Sequence, residues 1–149
     1  MISFTDEEQG GGLDLIVVIE KFFSASGLLS ESKNFEFRAE QQQMAIAVAK
    51  ALKGSEHLIV EAGTGVGKSL AYLVPAIFHA VSQNKKAVIS THTINLQEQL
   101  TEKDLPMLKQ VLPVEFSFTM LKGRGNYLCT RRLQRARQQA PTLLTSSEM

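Results

Sequence analysis

The chain has 149 residues, of which 44% are hydrophobic, and a formal net charge of +1. This size and composition fit one domain with one buried core, and the chain is short for a complete motor protein. No apolar run approaches the roughly 20 residues that cross a bilayer, and the acidic residues 6–8 are unlike a secretory signal, so we expect a cytoplasmic protein without a membrane partner. A single cysteine excludes an internal disulfide framework, and the small net charge limits nucleic-acid contact to local patches.

The first segments of the chain predict an irregular lead-in followed by two helices. Residues 1–12 end in three glycines and predict a lead-in without regular structure. In residues 13–23 β-branched residues favour a strand, whereas the length and apolar spacing favour a helix, and we predict the helix. From Met44 to Leu52 apolar residues recur at intervals of three and four, which predicts an amphipathic helix that stops at Gly54.

Residues 58–70 run from an apolar stretch into three alternating glycines and close on Lys68 and Ser69. Glycines adopt backbone angles closed to other residues, so successive N–H groups can surround phosphate oxygens. Lys68 would reach the outer phosphates of a nucleotide, and the Ser69 hydroxyl would ligate a magnesium ion that bridges them. The pattern therefore predicts a phosphate-binding loop, with a plain turn between strand and helix as the alternative. Its residues are Ala62, Gly63, Thr64, Gly65, Val66, Gly67, Lys68 and Ser69, of which Lys68 and Ser69 are the catalytic candidates.

A βαβ unit is predicted around this loop. The apolar stretch before it reads as a strand, residues 69–81 as a buried helix and residues 87–90 as a second strand. Parallel strands bind ligands at their carboxyl ends, where the loop and Thr91, His92 and Thr93 both fall. We predict a helix over residues 94–100, with Thr93 as N-cap and Ile94, Leu96 and Leu100 partly buried.

The last third of the chain predicts alternating short elements. Asp104 to Pro106 is expected to interrupt the helix, followed by a helical piece to Leu112 and a third strand over residues 116–121. A glycine-punctuated turn over residues 122–129 leads into a helix over residues 130–139. Its arginines indicate either a solvated cationic face or a nucleic-acid contact; they are Arg131, Arg132, Arg135 and Arg137.

Several segments occur together in one order: residues 37–44, 60–76, 90–100, 103–106 and 122–129. In combination they resemble the amino-terminal part of the DinG/XPD-like family of superfamily 2 DNA helicases, over about residues 35–135. The resemblance implies an α/β P-loop NTPase fold, with a RecA-like parallel sheet and flanking helices in an incomplete motor domain. It also implies an ATP- and Mg²⁺-dependent enzyme that moves 5′ to 3′ along single-stranded DNA.

The resemblance assigns roles to further residues. Arg38 and Gln41 match the Q-motif that recognises adenine, although spacing alone also fits a solvated helix start. Thr91, His92 and Thr93 match the segment that leads into the single-strand contact, and short hydroxyls and N–H groups suit a contact with the phosphate backbone. With these residues we group Arg131, Arg132 and Arg135 as DNA-binding candidates.

Cys129 matches the first of four cysteines that hold a 4Fe–4S cluster in many relatives. Four thiolates are the usual ligand set, and the chain has one cysteine, so we expect no cluster in this chain alone. Without the resemblance, a lone cysteine reads as a small buried hydrophobic residue.

An ATPase of this type also needs a carboxylate pair after a later strand and arginines from a second motor domain. The consecutive acidic residues of the chain, residues 6–8, lie before the phosphate loop, and no apolar strand comes before them. We therefore interpret the chain as an amino-terminal fragment or the product of a split or truncated gene, whose partner is the missing carboxy-terminal helicase portion. We divide it into a lead-in and helix (1–34), the start of the ATP-binding domain (35–121) and the start of an iron–sulfur-domain-like insertion (122–149).

The predicted function is the Mg-ATP- and single-stranded-DNA-binding part of a helicase, inactive by itself. One alternative is a non-catalytic module that binds nucleotide or DNA without doing work. Another is an unrelated P-loop enzyme such as a kinase. Residues 91–99, which match the helicase family, argue against this alternative. No oligomeric state is predicted.

Overall fold

The computed structural model describes residues 14–31 and 36–143. The chain divides into two compact units, the first ending at Phe118 and the second beginning at Thr119. The α-helices in the described ranges are α1 (Leu15–Phe22), α2 (Ala39–Gly54), α3 (Lys68–Ser82), α4 (Ile94–Gln99), α5 (Leu105–Val111) and α6 (Thr130–Leu143). Short 3₁₀ helices span Leu28–Glu31 and Arg124–Asn126, and a π-helical turn spans Leu100–Asp104. The predicted lead-in, residues 1–12, lies outside the described residues.

Helix α1 confirms the helical prediction for this part of the chain. The Asp14 carboxylate caps it by accepting a hydrogen bond from the Ile16 N–H at 3.0 Å, which satisfies one of the unpaired donors of the first turn. The same carboxylate pairs with Lys53 of α2 at 2.9 Å. The Lys53 ammonium, and after it the Ile16 N–H, hold the pKa of Asp14 below its ordinary value. This exposed pair joins the start of α1 to the end of α2.

Helices α2 and α3 pack closely because small side chains separate them. Ala45 and Ala49 of α2 and Ala71 of α3 are fully buried. Helix α2 ends at Gly54, as predicted, and Ser55 after it takes the left-handed conformation, with φ of 53°.

The core of the first unit lies among α1, α2 and α3 and extends to α5. Phe22 meets Phe23 with ring centroids 5.3 Å apart and Phe78 at 6.4 Å, both edge to face. Such aromatic contacts contribute about 0.5–1.5 kcal/mol beyond the area that they bury. The buried hydrophobic residues are Ile19, Phe22, Phe23, Leu29, Ala45, Ala49, Ala71, Leu73, Val74, Ile77, Phe78, Leu100, Leu108 and Leu112.

Helix α4, the π-helical turn and α5 form one continuous helical segment over residues 94–111. The predicted interruption between Asp104 and Pro106 was wrong. Pro106 lies in the first turn of α5, where its missing N–H and fixed φ cost little. We predicted that Ile94, Leu96 and Leu100 are partly buried. Leu100 is buried, whereas Ile94 is 63% exposed, so the prediction was wrong for Ile94.

The parallel sheet is not confirmed. In the described ranges no residue is assigned to a strand, and residues 56–63, 85–91 and 115–123 have no regular secondary structure. Ile59 is 98% exposed and Val88 90%, although the strands of a parallel sheet bury such residues on both faces. Isolated strands are not independently stable, so the strand-like composition of these segments does not by itself produce a sheet.

The second unit contains the 3₁₀ turn Arg124–Asn126 and helix α6. The Lys122 N–H donates to the Tyr127 hydroxyl at 2.9 Å, which closes the glycine-punctuated turn. Helix α6 begins at Thr130, as the sequence predicts. Among the described residues of the whole chain, no helix is long and apolar enough to span a membrane.

Candidate nucleotide-binding site

The phosphate loop leads directly into helix α3. Gly65 and Gly67 have φ values of 84° and 82°, which side chains rarely tolerate, and Lys68 is the first helical residue. Gly63 is not among the residues with positive φ, so our prediction of special backbone angles fails at this position. The N–H groups that begin α3, together with its dipole, make this end of the helix suited to an anion.

Lys68 folds back onto its own loop. Its ammonium donates to the Ala62 carbonyl at 2.9 Å and to the Gly63 carbonyl at 2.6 Å. Two of the three N–H donors of the ammonium therefore have carbonyl partners within the loop. Because lysine is a compact charge on a flexible stem, it can transfer from these oxygens to a phosphate.

Two side chains from the start of α2 hold the loop from outside. The guanidinium of Arg38 donates to the Gly65 carbonyl and also pairs with Glu36 at 3.3 Å. Gln41, only 4% exposed, donates from Nε2 to the Gly67 carbonyl at 2.9 Å. Both bonds hold the carbonyls of the left-handed glycines. The structure thus places Arg38 and Gln41 at the phosphate loop, and their predicted contact with adenine stays a prediction.

Ser69 is half-buried in the first turn of α3. A hydroxyl at this position suits one coordination site of a magnesium ion, whose other ligands would be phosphate oxygens and water. In the described part of the chain, no group of three or more His, Cys, Asp or Glu side chains could hold a metal by itself. Ser69 therefore fits a magnesium ion as one ligand beside the phosphate oxygens of a nucleotide.

Tyr72 lies one helical turn after Ser69, and the sequence analysis did not single it out. Burial raises the pKa of the Tyr72 phenol, a hydrogen bond with Ser69 lowers it, and the Asp104 carboxylate raises it. The spacing of three residues between Ser69 and Tyr72 was the available signal, because such residues share a helix face.

Thr91, His92 and Thr93 lead into α4. The Thr93 hydroxyl accepts from the Leu96 N–H at 3.3 Å, which confirms the predicted N-cap. Thr91 donates from its hydroxyl to the Thr93 carbonyl at 3.3 Å. His92 and Thr93 are exposed, and Thr91 is half-buried.

The model of the family described as DEAD/DEAH box helicase matches residues 39–145. The chain belongs to this family. The match includes the phosphate loop, Gln41 and the Thr91–Thr93 segment. Membership also rules out the alternative of an unrelated P-loop enzyme, and the resemblance to DinG-type helicases is confirmed by the relatives.

Three curated relatives show how far the similarity extends. The ATP-dependent DNA helicase YoaA of Haemophilus influenzae is 48% identical over 77% of this chain and 18% of its own length. ATP-dependent helicase DinG of Mycobacterium tuberculosis is 53% identical over 64% of this chain and 15% of its own length. ATP-dependent DNA helicase DinG of Escherichia coli is 45% identical over 77% of this chain and 16% of its own length. The chain thus spans less than a fifth of the relatives that it matches. The family membership implies a P-loop NTPase fold.

The remaining predicted site residues of this DEAD/DEAH family chain lie in its second unit. Arg131, Arg132 and Arg135 are all exposed on α6, and Arg131 and Arg135 share a face. Cys129 is exposed as well, so the interpretation of a buried hydrophobic residue was wrong. A single cysteine does not fit a cluster that needs four thiolates.

Proposed function

We propose that this chain binds Mg-ATP at its phosphate loop, as part of an ATP-dependent DNA helicase of the DinG/XPD-like type. The observation that carries the proposal is a loop with two left-handed glycines at the N-terminus of α3, next to Lys68 and Ser69. Membership in the DEAD/DEAH helicase family supports it.

Binding would be an exchange of partners at the loop. Lys68 leaves the carbonyls of Ala62 and Gly63 and donates to phosphate oxygens instead, while the N–H groups of the loop surround the phosphates. Ser69 supplies one oxygen to the magnesium ion, which neutralises phosphate charge. Arg38 and Gln41 keep their bonds to the loop carbonyls throughout, and either can turn an additional donor towards the base.

We further propose that the chain contacts single-stranded DNA through residues 91–93 and through Arg131, Arg132 and Arg135 of α6. Contacts of this kind engage phosphates and are indifferent to base sequence. Hydrolysis and 5′ to 3′ unwinding would also require a carboxylate pair and further arginines from a second motor domain. A non-catalytic nucleotide-binding module is the second candidate, because the neighbouring acidic residues of the sequence, residues 6–8, precede the phosphate loop.

The proposal is tested by Lys68→Ala. Loss of a charge-assisted contact with phosphate should weaken Mg-ATP binding by at least about tenfold, on the order of 1.4 kcal/mol. Calorimetric titration of both proteins gives the dissociation constants. Lys85→Ala is the matched control, since it removes an exposed lysine just beyond the opposite end of α3 and should leave the affinity unchanged. Equal affinities of Lys68→Ala and the unsubstituted chain would exclude the loop as the nucleotide site.

A further inference from the structure

The start of helix α2 holds the phosphate loop, yet this end of the helix has a weak cap. Arg38 occupies the N-cap position in an extended conformation, and its side chain makes no capping hydrogen bond. Good N-cap side chains accept a hydrogen bond from an N–H group of the first turn, and the guanidinium of arginine has no acceptor. Helix ends fray, and this end lacks the side-chain cap that would oppose fraying.

Gln42 joins the first turn of α2 to helix α1. Its Nε2 donates to the Glu20 carbonyl at 2.9 Å. Glu20 lies in the last turn of α1, where carbonyls have no partner within the helix. The backbone N–H of Gln42 donates to the Arg38 carbonyl at 3.2 Å, which closes the first turn of α2. One residue therefore both completes this turn and fastens it to α1.

Gln41, the residue before Gln42, extends to the phosphate loop instead. Its Nε2 donates to the Gly67 carbonyl at 2.9 Å, and the residue is only 4% exposed. Successive helical residues are rotated by about 100°, so two neighbouring glutamines of one turn can bind different partners. The direction of Gln41 therefore depends on the turn that Gln42 fastens.

A second contact joins α1 and α2 at the opposite end of α2. Lys53, in the last turn of α2, pairs with Asp14 at 2.9 Å. This contact also uses a long side chain of α2 and a partner on or beside α1. It differs from the Gln42 contact in its distance along α2 from Gln41 and the phosphate loop. The two contacts therefore form a matched pair for an experiment.

We propose that Gln42 is a positioning residue for the nucleotide site, because it fastens the first turn of α2 to α1 and so keeps Gln41 on the Gly67 carbonyl. The family model matches from residue 39 onward, so α1 lies outside the match. When the turn frays, Gln41 leaves the loop, and the apparent affinity falls with the fraction of chains that keep the ordered turn. The inference rests on the proposed function and adds a supporting role for α1.

Gln42→Met tests the inference, because methionine keeps an unbranched side chain of similar length and removes the amide donor. Lys53→Met is the matched control, since it removes the other contact between α1 and α2. Calorimetry without denaturant measures the Mg-ATP affinity of both variants. We expect Gln42→Met to weaken binding by about threefold to tenfold, the range for one lost hydrogen bond, and Lys53→Met to leave the affinity unchanged.

Hydrogen exchange distinguishes positioning from a general loss of stability. Gln42→Met should accelerate the exchange of the amides of residues 42–44, at the start of α2, and leave those of its later turns unchanged. In a Gln41→Met background, Gln42→Met should not weaken Mg-ATP binding further, since its effect passes through Gln41. A merely structural contact would lower the urea midpoint without this dependence on Gln41.

The outcomes separate the inference from the proposed function. If the unsubstituted chain does not bind Mg-ATP, both are overturned. If it binds and the affinities of Gln42→Met and Lys53→Met are equal, or the loss persists in the Gln41→Met background, this inference alone is overturned. Should Gln42→Met fail to fold, Gln42→Asn replaces it, because its amide is one methylene shorter and loses the Glu20 carbonyl. A weaker Mg-ATP affinity is again expected, and an unchanged affinity overturns the inference.

Discussion

Gly67 is the residue of the phosphate loop whose identity is most constrained. Its φ of 82° is one that side chains rarely adopt, and a Cβ at this position would lie 2.1 Å from Nε2 of Gln41. Gly65 has a similar φ of 84°, but a Cβ there would meet nothing within 4 Å. Gly63 has neither constraint. Three glycines that look equivalent in the sequence therefore differ in what the fold requires of them.

The three alanine substitutions should destabilise the chain in a graded order. Gly63→Ala should stay within about 0.5 kcal/mol of the unsubstituted chain, as surface changes usually do. Gly65→Ala should cost about 1–2 kcal/mol from the left-handed conformation. Gly67→Ala should cost about 1 kcal/mol more than Gly65→Ala, because Gln41 must move and lose its bond to the Gly67 carbonyl. Urea denaturation measures the three values. A loss for Gly63→Ala as large as for Gly67→Ala would contradict this account.

The sequence predicted the phosphate loop because its glycine spacing and the Lys68–Ser69 pair match the phosphate-loop pattern. It could not predict which glycines take left-handed angles, because this depends on the side chains that bind the loop carbonyls. Arg38 and Gln41, 27 and 26 residues earlier in the chain than the carbonyls they hold, do this holding. Such long-range bonds are not encoded in any local pattern.

At the scale of elements, α2 and α3 are both followed by a left-handed residue that is not glycine. Ser55 follows α2 with φ of 53°, and Asn84 lies beyond the end of α3 with φ of 49°. Asparagine tolerates this conformation because its side chain can bond locally, whereas serine has no such advantage. The two helix ends thus differ in strain.

Ser55→Gly should stabilise the chain by about 1 kcal/mol, the lower end of the cost of a left-handed residue with a side chain. Asn84→Gly is the matched comparison and should stabilise it by less. Both are measured as shifts of the urea midpoint at unchanged slope. A larger gain for Asn84→Gly than for Ser55→Gly would show that the Ser55 conformation carries no strain.

Helix α6 gives a prediction about DNA. If Arg131 and Arg135 contact phosphates, replacing both by alanine should flatten the plot of log K against log salt by about 1.4, at about 0.7 per contact with a single strand. Thr91→Ala removes a neutral group and should lower affinity at an unchanged slope. Fluorescence anisotropy of a labelled oligonucleotide at several salt concentrations measures both. An unchanged slope in the double variant would mean that the arginines form a solvated face.

The sequence was most informative about helices with apolar periodicity. The α2 and α3 segments each contain several turns of it, and both were predicted within a few residues. The join between α4 and α5 was mispredicted because Asp104 and Pro106 look like helix breakers, although Pro106 lies in a first turn, where proline is tolerated. The π-helical turn has no local signature of its own.

At the scale of the whole molecule, ATP hydrolysis needs a carboxylate pair that holds magnesium and orients the attacking water. The neighbouring acidic residues of the printed sequence, residues 6–8, precede the phosphate loop. We expect no DNA-stimulated ATP hydrolysis above the level of Lys68→Ala, measured by phosphate release. A turnover of about 1 per second, the low end for enzymes, would show that another carboxylate substitutes.

The sequence predicts a sheet, whereas the described residues contain no assigned strand. Residues 58–60, 87–90 and 116–121 have the composition of strands, yet Ile59 and Val88 are exposed in the described structure. Strand formation depends on hydrogen bonds to a neighbouring strand, whereas a helix satisfies its own backbone. The helices therefore follow from local information, whereas a strand also depends on a partner that can lie far away in the sequence.

The contacts of Lys68 with Ala62 and Gly63 give the proposed nucleotide binding a kinetic consequence. If a nucleotide binds as we propose, its arrival and the transfer of the ammonium to its phosphates would be separate events. The first is bimolecular and accelerates with nucleotide concentration, whereas the second is a unimolecular rearrangement with a fixed rate. At high nucleotide concentration the observed rate of the slower step reaches a plateau, and the height of that plateau is set by how fast two hydrogen bonds within the loop open.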